Sequence, residues 1–201
     1  MATIRLARPD DAAALRAIYA PFVETTATSF EWAVPSEAEF GQRITRTLPK
    51  YPWLVFDVDG TVAGYAYATS HRQRTAYDWS VESSVYLAPT FHRRGIGQAL
   101  YTSLLALLTL QGFRNVYAGI TLPNPASEAF HQAFGFEPIG LYRDIGYKFG
   151  AWHSVAWFQL SLPNARTGEI SPPRSLADVL RQPAGQEALQ AGLSKLKFIN
   201  P

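Results

Sequence analysis

His92-Arg93-Arg94-Gly95-Ile96-Gly97 follows the strand-like run Val81-Glu82-Ser83-Ser84-Val85-Tyr86-Leu87 and leads straight into the apolar-periodic Ala99-Leu100-Tyr101-Thr102-Ser103-Leu104. A strand, a basic glycine turn and a helix N-terminus make a cradle for an anion. Gly95 and Gly97 carry no Cβ, so free backbone N–H groups can close on phosphate oxygens, while the helix dipole, Arg93 and Arg94 add positive charge. The expected ligand is a pyrophosphate. A short glycine turn is a weak signal by itself, and a purely structural turn with solvated arginines is the alternative. Two familiar nucleotide loops do not fit. A dinucleotide fingerprint needs three spaced glycines and a later acidic residue, and a Walker loop needs Lys-Ser/Thr after its last glycine, where this chain has Gln98-Ala99.

The whole chain sets bounds on what surrounds the cradle. At 201 residues, 47% hydrophobic and 17% charged, it suits one domain with a sizeable core. The absence of Cys excludes disulfides, thiolate metal sites and a cysteine nucleophile. No basic-then-apolar leader pattern opens the chain, which makes the cytoplasm the expected address, and no apolar run reaches the roughly 18 residues of a membrane span. A net charge of +2 gives no argument for nucleic acid. His71, His92, His131 and His153 are scattered without ligand spacing, so no metal is expected.

Working outward, Thr3 to Arg8 alternates like a first strand, and Pro9-Asp10-Asp11 opens a helix with Leu15, Ile18, Tyr19 and Phe22 on one face. Ser36 and Glu39 read as a capping box for a second helix carrying Phe40, Ile44 and Leu48. Trp53 to Val58, the Asp59-Gly60 turn and Thr61 to Ala68 read as a hairpin. The cradle helix should end near Gly112. Beyond it come a strand over Asn115 to Leu122, a short helix over Asn124 to Phe134 closed by Gly135, and a last strand over His153 to Leu162. From Pro163 the composition shifts toward Gly, Pro, Ser and Gln. Residues 1–162 therefore form the domain, and 163–201 a partly helical extension broken by Pro183 and Gly185 that packs on the domain or on a neighbouring subunit.

The cradle resembles the acyl-CoA loop of the GCN5-related N-acetyltransferases, Gln/Arg-x-x-Gly-x-Gly/Ala at the same junction, with His92 in place of the first residue. Several further blocks are similar to the phosphinothricin acetyltransferase subgroup. They include Tyr51-Pro52-Trp53-Leu54-Val55, Val58 to Gly64, Ala76-Tyr77-Asp78-Trp79, Glu82-Ser83-Ser84-Val85-Tyr86, Gln111-Gly112-Phe113, Leu122-Pro123-Asn124, His131, Lys148 and Trp152-His153. The resemblance spans roughly residues 3 to 162. It implies an α/β fold with a mixed sheet of about seven strands, splayed between the fourth and fifth. It also implies transfer of acetyl from acetyl-CoA, the co-substrate, to the α-amine of a small amino acid, and a homodimer. The aromatic strands around Trp152, Trp157 and Phe158 offer an interface or, equally, core.

The same resemblance assigns roles that the residue chemistry supports. Glu82, out of phase with its apolar neighbours on the strand, is the candidate base, acting directly or through water; otherwise it is a solvent-facing or arginine-paired strand residue. His131, where the superfamily usually has Tyr, is the second catalytic candidate, as acid or second base. The backbone of Val85, Tyr86 and Leu87 should face the acetyl carbonyl and pantetheine. The cradle residues His92, Arg93, Arg94, Gly95, Ile96, Gly97 and Gln98 should hold the pyrophosphate, and Asn124 should flank the pantetheine arm or cap a helix. For the acceptor, Arg72 and Arg74 offer two guanidinium forks, where the subgroup has Lys-x-Arg, with Tyr77 beside them and Phe30 as an apolar wall. Phe149 stands where the namesake enzymes tend to have His. Two other functions stay open at the level of sequence. One is acetylation of another amine, such as a polyamine, an aminoglycoside or a protein amino terminus; the other is a non-catalytic acyl-CoA sensor.

Overall fold

The structure, a computed structural model, describes residues 1–164 and 170–196. β1 (Ala2–Leu6) leads through a turn at Pro9–Asp11 into α1 (Ala12–Glu24) and α2 (Glu37–Thr47). β2 (Trp53–Val58), β3 (Thr61–Ser70) and β4 (Ser80–Leu87) form a meander, followed by α3 (Ile96–Gln111), β5 (Asn115–Thr121) and α4 (Pro125–Ala133). The hairpin of β6 (Glu137–Lys148) and β7 (Ala151–Ser161) precedes α5 (Leu176–Leu180) and α6 (Pro183–Gln190). Together the strands make one mixed sheet of seven in the order β1-β2-β3-β4-β5-β7-β6, antiparallel except for the parallel β4–β5 pair.

Alternation along the strands divides the core into two layers. Leu54, Phe56, Ala66 and Val81 face α3, where Leu100, Leu104, Leu107 and Leu108 are fully buried; each such leucine contributes roughly 1.5–3 kcal/mol. Trp53, Val55 and Tyr65 face the other way, onto Leu15, Ile18 and Val23 of α1 and Phe40 and Ile44 of α2. The Ser36–Glu39 capping box forms in both directions, Glu39 N donating to Ser36 Oγ at 3.2 Å and Ser36 N to Glu39 Oε2 at 3.0 Å.

The extension packs on the domain. Leu176, Val179, Ala188 and Leu189 join the core on the far side of α3, which makes α3 apolar nearly all round, as expected of a helix covered on both sides. The extension is in two helical pieces, as expected, with the break just before Pro183, which opens α6 where its missing N–H costs nothing. Gly185 lies inside α6, and a Cβ there would come within 2.1 Å of the Val179 carbonyl oxygen. Part of the extension, 165–169 and 197–201, lies outside the described residues.

Candidate active site

β4 and β5 pair at only three positions, Ser80–Asn115, Val81–Val116 and Glu82–Tyr117. Beyond Glu82 they part, β4 staying with β3 as far as Leu87 and β5 with β7 as far as Thr121. The edge of β4 from Ser83 onward therefore turns unpaired backbone groups into the gap, and such groups need a partner. A cleft of about 920 Å³ opens there. Val85, Tyr86 and Leu87 form one wall, and Leu122, Pro123 and Asn124 form the opposite one. Phe22 of α1 and Thr26 to Thr28 just after it close a third side, with His153 beside them.

The glycine turn forms the far end. Arg93 and Gly95 hold left-handed backbone at φ 61° and 80°, a conformation glycine adopts freely and arginine does not, and this turn directs the first N–H groups of α3 outward. His92, Arg93 and Gly97 line the cleft, and Gly95, Ile96, Gly97 and Gln98 line an adjoining hollow of about 340 Å³. Arg94 lines neither; its guanidinium lies over the Phe91 ring at 5.4 Å. His92 Nε2 lies 3.2 Å from the Leu87 carbonyl oxygen, so the residue that departs from the family pattern ties the turn back to β4. Asn124 does both things expected of it, accepting from Ser127 N at 3.2 Å as the α4 cap while facing the cleft.

The two catalytic candidates sit on opposite faces of the sheet. His131 is 5% exposed, on the α3 side, behind Ser127 and Phe130 of the cleft wall. Its Nδ1 is 2.8 Å from the Ser127 carbonyl, which can only accept, so Nδ1 carries the hydrogen of the neutral ring. Its Nε2 is 3.0 Å from Tyr101 Oη, which in turn is 3.0 Å from Ser83 Oγ. Burial lowers the His131 pKa, and the Ser127 carbonyl only partly offsets it. Glu82, one residue before Ser83, points the other way, its Oε1 accepting from His71 Nδ1 at 2.9 Å. His71 stacks on Tyr117 at 4.2 Å.

Around Glu82 lies a second, more open corner. Arg72 Nη2 is 3.4 Å from Tyr142 Oη, Tyr142 leans on Trp157 and Tyr77 approaches His71 at 6.4 Å, while Arg74 is exposed. Phe30 lies against β6 where Gly146 leaves room; a Cβ at Gly146 would sit 2.3 Å from the ring. Lys148, 2% exposed, donates to the carbonyls of Val23 at 2.7 Å and Ser29 at 2.6 Å, fastening β6 to the segment that walls the cleft. Taking that ammonium out of water lowers its pKa. The structure thus gathers the residues expected to hold the cofactor, apart from Arg94, around the cleft and its hollow, and sets Glu82 on the other face against His71, with Arg72 next in the chain and Tyr77 near that ring. His71, Tyr101 and Ser83 were not singled out in the sequence as site residues; each meets its partner only through the fold, on another element 11 to 30 residues away, and only the aromatic or hydroxyl character of the residue was visible.

Residues 4–157 match the acetyltransferase (GNAT) domain family. The chain is 40% identical over 178 residues to phosphinothricin N-acetyltransferase of Streptomyces viridochromogenes, covering 88% of this chain and 93% of that one. It is 33% identical over 161 residues to the L-methionine sulfoximine/L-methionine sulfone acetyltransferase of Salmonella typhimurium, covering 80% of this chain and 94% of that one. The solved structure of a GNAT superfamily phosphinothricin acetyltransferase from Sinorhizobium meliloti in complex with AcCoA superposes with a TM-score of 0.80 at 38% identity, covering 85% of this chain and 93% of that one.

Proposed function

The chain belongs to the GNAT acetyltransferase family, and on that premise we propose that it carries acetyl from acetyl-CoA to the α-amine of a small amino acid or analogue such as phosphinothricin or methionine sulfoximine or sulfone. The observation that carries the reading is the cleft between β4 and β5, open to the glycine turn at one end and meeting the Glu82 corner where the strands part. In this reading the pyrophosphate rests on Arg93, Gly95, Ile96, Gly97 and Gln98, and the pantetheine arm runs between Leu87 and Asn124. The thioester carbonyl lies against the free backbone of Val85 to Leu87.

The amine nitrogen attacks the thioester carbon, the carbonyl oxygen becomes an oxyanion held by a β4 N–H, and the C–S bond then breaks to release thiolate. Glu82 takes the amine proton, directly or through water, and His131 returns a proton to the sulfur. Arg72 and Arg74 anchor the acceptor's anionic groups, with Tyr77 beside them and Phe30 as the apolar wall. No described helix is long and apolar enough to cross a membrane, and dependence on acetyl-CoA supports a cytoplasmic address. A second copy of the chain is proposed to cover β6, a twelve-residue edge strand exposing Ile139, Leu141, Tyr142, Ile145 and Tyr147 with Phe149 and Trp152 alongside. Of Trp152, Trp157 and Phe158, which the sequence left as interface or core, Phe158 is core at 2% exposure and Trp152 is exposed.

Release of free CoA thiol from acetyl-CoA tests the function, with phosphinothricin, methionine sulfoximine, methionine sulfone, polyamines and an amino-terminal peptide as acceptors. Turnover confined to the amino-acid analogues is expected. Turnover with polyamine or peptide alone removes the acceptor assignment, and silence with acetyl-CoA still bound turns the reading to a sensor.

A further inference from the structure

Tyr101 is fully buried within α3, yet its hydroxyl meets two side chains that can each donate or accept, Ser83 Oγ and His131 Nε2, both at 3.0 Å. A buried tyrosine kept for packing needs one partner of fixed polarity. Here Nε2 accepts while the ring is neutral and donates only once it is protonated, and Ser83 Oγ can follow it either way. We propose that Tyr101 and Ser83 form a reversible hydroxyl relay that lets the buried His131 ring hold either protonation state, which makes Tyr101 a positioning residue for acetyl transfer. The catalytic half of this proposal rests on the reading of His131 as a group that exchanges a proton in the reaction.

With the ring neutral, Nδ1–H donates to the Ser127 carbonyl, leaving Nε2 to accept. Tyr101 donates to Nε2, and Ser83 donates to Tyr101. When Nε2 gains a proton it must donate, and the chain runs backward. Tyr101 Oη accepts from Nε2–H, the Tyr101 hydrogen turns to Ser83 Oγ, and the Ser83 hydrogen turns to the Tyr117 carbonyl oxygen, 3.4 Å away. Two hydroxyls rotate and the only proton added is the one on Nε2. The ring has little other help, since it is flanked by Phe130 of α4 and Phe136 of the turn after it. From α3 it meets Tyr101 and from β4 Ser83 through Tyr101, while Glu82 points to the opposite face. Among the described residues no carboxylate pairs with this imidazole.

Tyr101→Phe keeps the ring and removes the relay. It takes a neutral bond from the uncharged imidazole but a stronger, charge-assisted one from the imidazolium, so the charged form loses more. The His131 pKa should then fall by roughly half to one unit in a nitrogen-detected NMR titration of the imidazole, its signal identified by its loss in His131→Gln. In the same variant kcat should fall about tenfold, while acetyl-CoA Kd stays within about twofold. Ser83→Ala, which leaves Tyr101 able to accept but strands its hydrogen, should give a smaller fall in pKa and carries the test if the Phe variant does not fold. An unchanged or raised His131 pKa overturns the relay, as does a wild-type ring that takes no proton before acid unfolding. A fall in pKa with kcat intact overturns the positioning role. Unchanged turnover in His131→Gln removes instead the reading of His131 as the proton carrier, and the titration still decides the relay.

Discussion

Glu82 is paired in register with Tyr117, and this is the last pair that β4 and β5 make. The carboxylate thus stands at the apex of the opening, on the face away from His131, with His71 holding it from one side at 2.9 Å. Glu82→Gln keeps the size and removes the proton acceptor. Steady-state turnover is expected to fall by roughly 10²–10⁴-fold, the usual span for a general base, with acetyl-CoA affinity by calorimetry little changed.

Arg72→Ala addresses the acceptor alone. Because Arg72 is exposed and its described contact is a long one to Tyr142, its loss should cost little stability and should raise the acceptor KM about tenfold or more, in keeping with loss of a charge-assisted bond. An unchanged acceptor KM in initial-rate assays would remove the arginine from the site.

Gly95→Ala separates the cradle from the chemistry. A side chain at φ 80° is strained by roughly 1 kcal/mol or more, and relief of that strain turns the N–H groups of the cradle away from the phosphates. Acetyl-CoA Kd should rise by about tenfold, with kcat at saturating acetyl-CoA largely preserved.

Burial holds the folded His131 pKa below its ordinary value of 6.5. The unfolded chain therefore binds a proton that the folded chain refuses in the window just below that pH. Stability must fall as pH drops from the unfolded pKa toward the folded one, and levels off beneath it. In urea unfolding between about pH 7.5 and 5.5, His131→Gln should show a shallower loss of stability than the parent.

What the sequence made legible is what is local. The glycine turn, the Ser36 box, the Asp59-Gly60 hairpin and the Gly112 stop each depend on backbone chemistry within a few residues, and each falls where its residues placed it. β6 was not legible by pattern, because a strand exposed on both faces has no reason to alternate, and Pro138, Gly140 and Gly146 interrupt it further. The extension looked weakly apolar because each short helix brings only two or three core residues, Leu176 and Val179 or Ala188 and Leu189, to a surface of α3 supplied by a distant part of the chain. At the site, Glu82 stood out as a carboxylate in a strand. The partners that give the site its chemistry did not, since His71 meets Glu82 across a strand pair and Tyr101 meets His131 across two helices.

Gln190 near the end of the chain donates to the Ile4 carbonyl at 2.8 Å, and Gly192 donates to Ser103 Oγ at 3.0 Å, its Cα so close to Ala99 that a Cβ would sit 1.8 Å from the Ala99 oxygen. During synthesis β1 and α3 leave the ribosome long before the segment that seals them. The nascent chain thus carries an open apolar flank on α3 until residues 176–192 have been made, after every strand of the sheet.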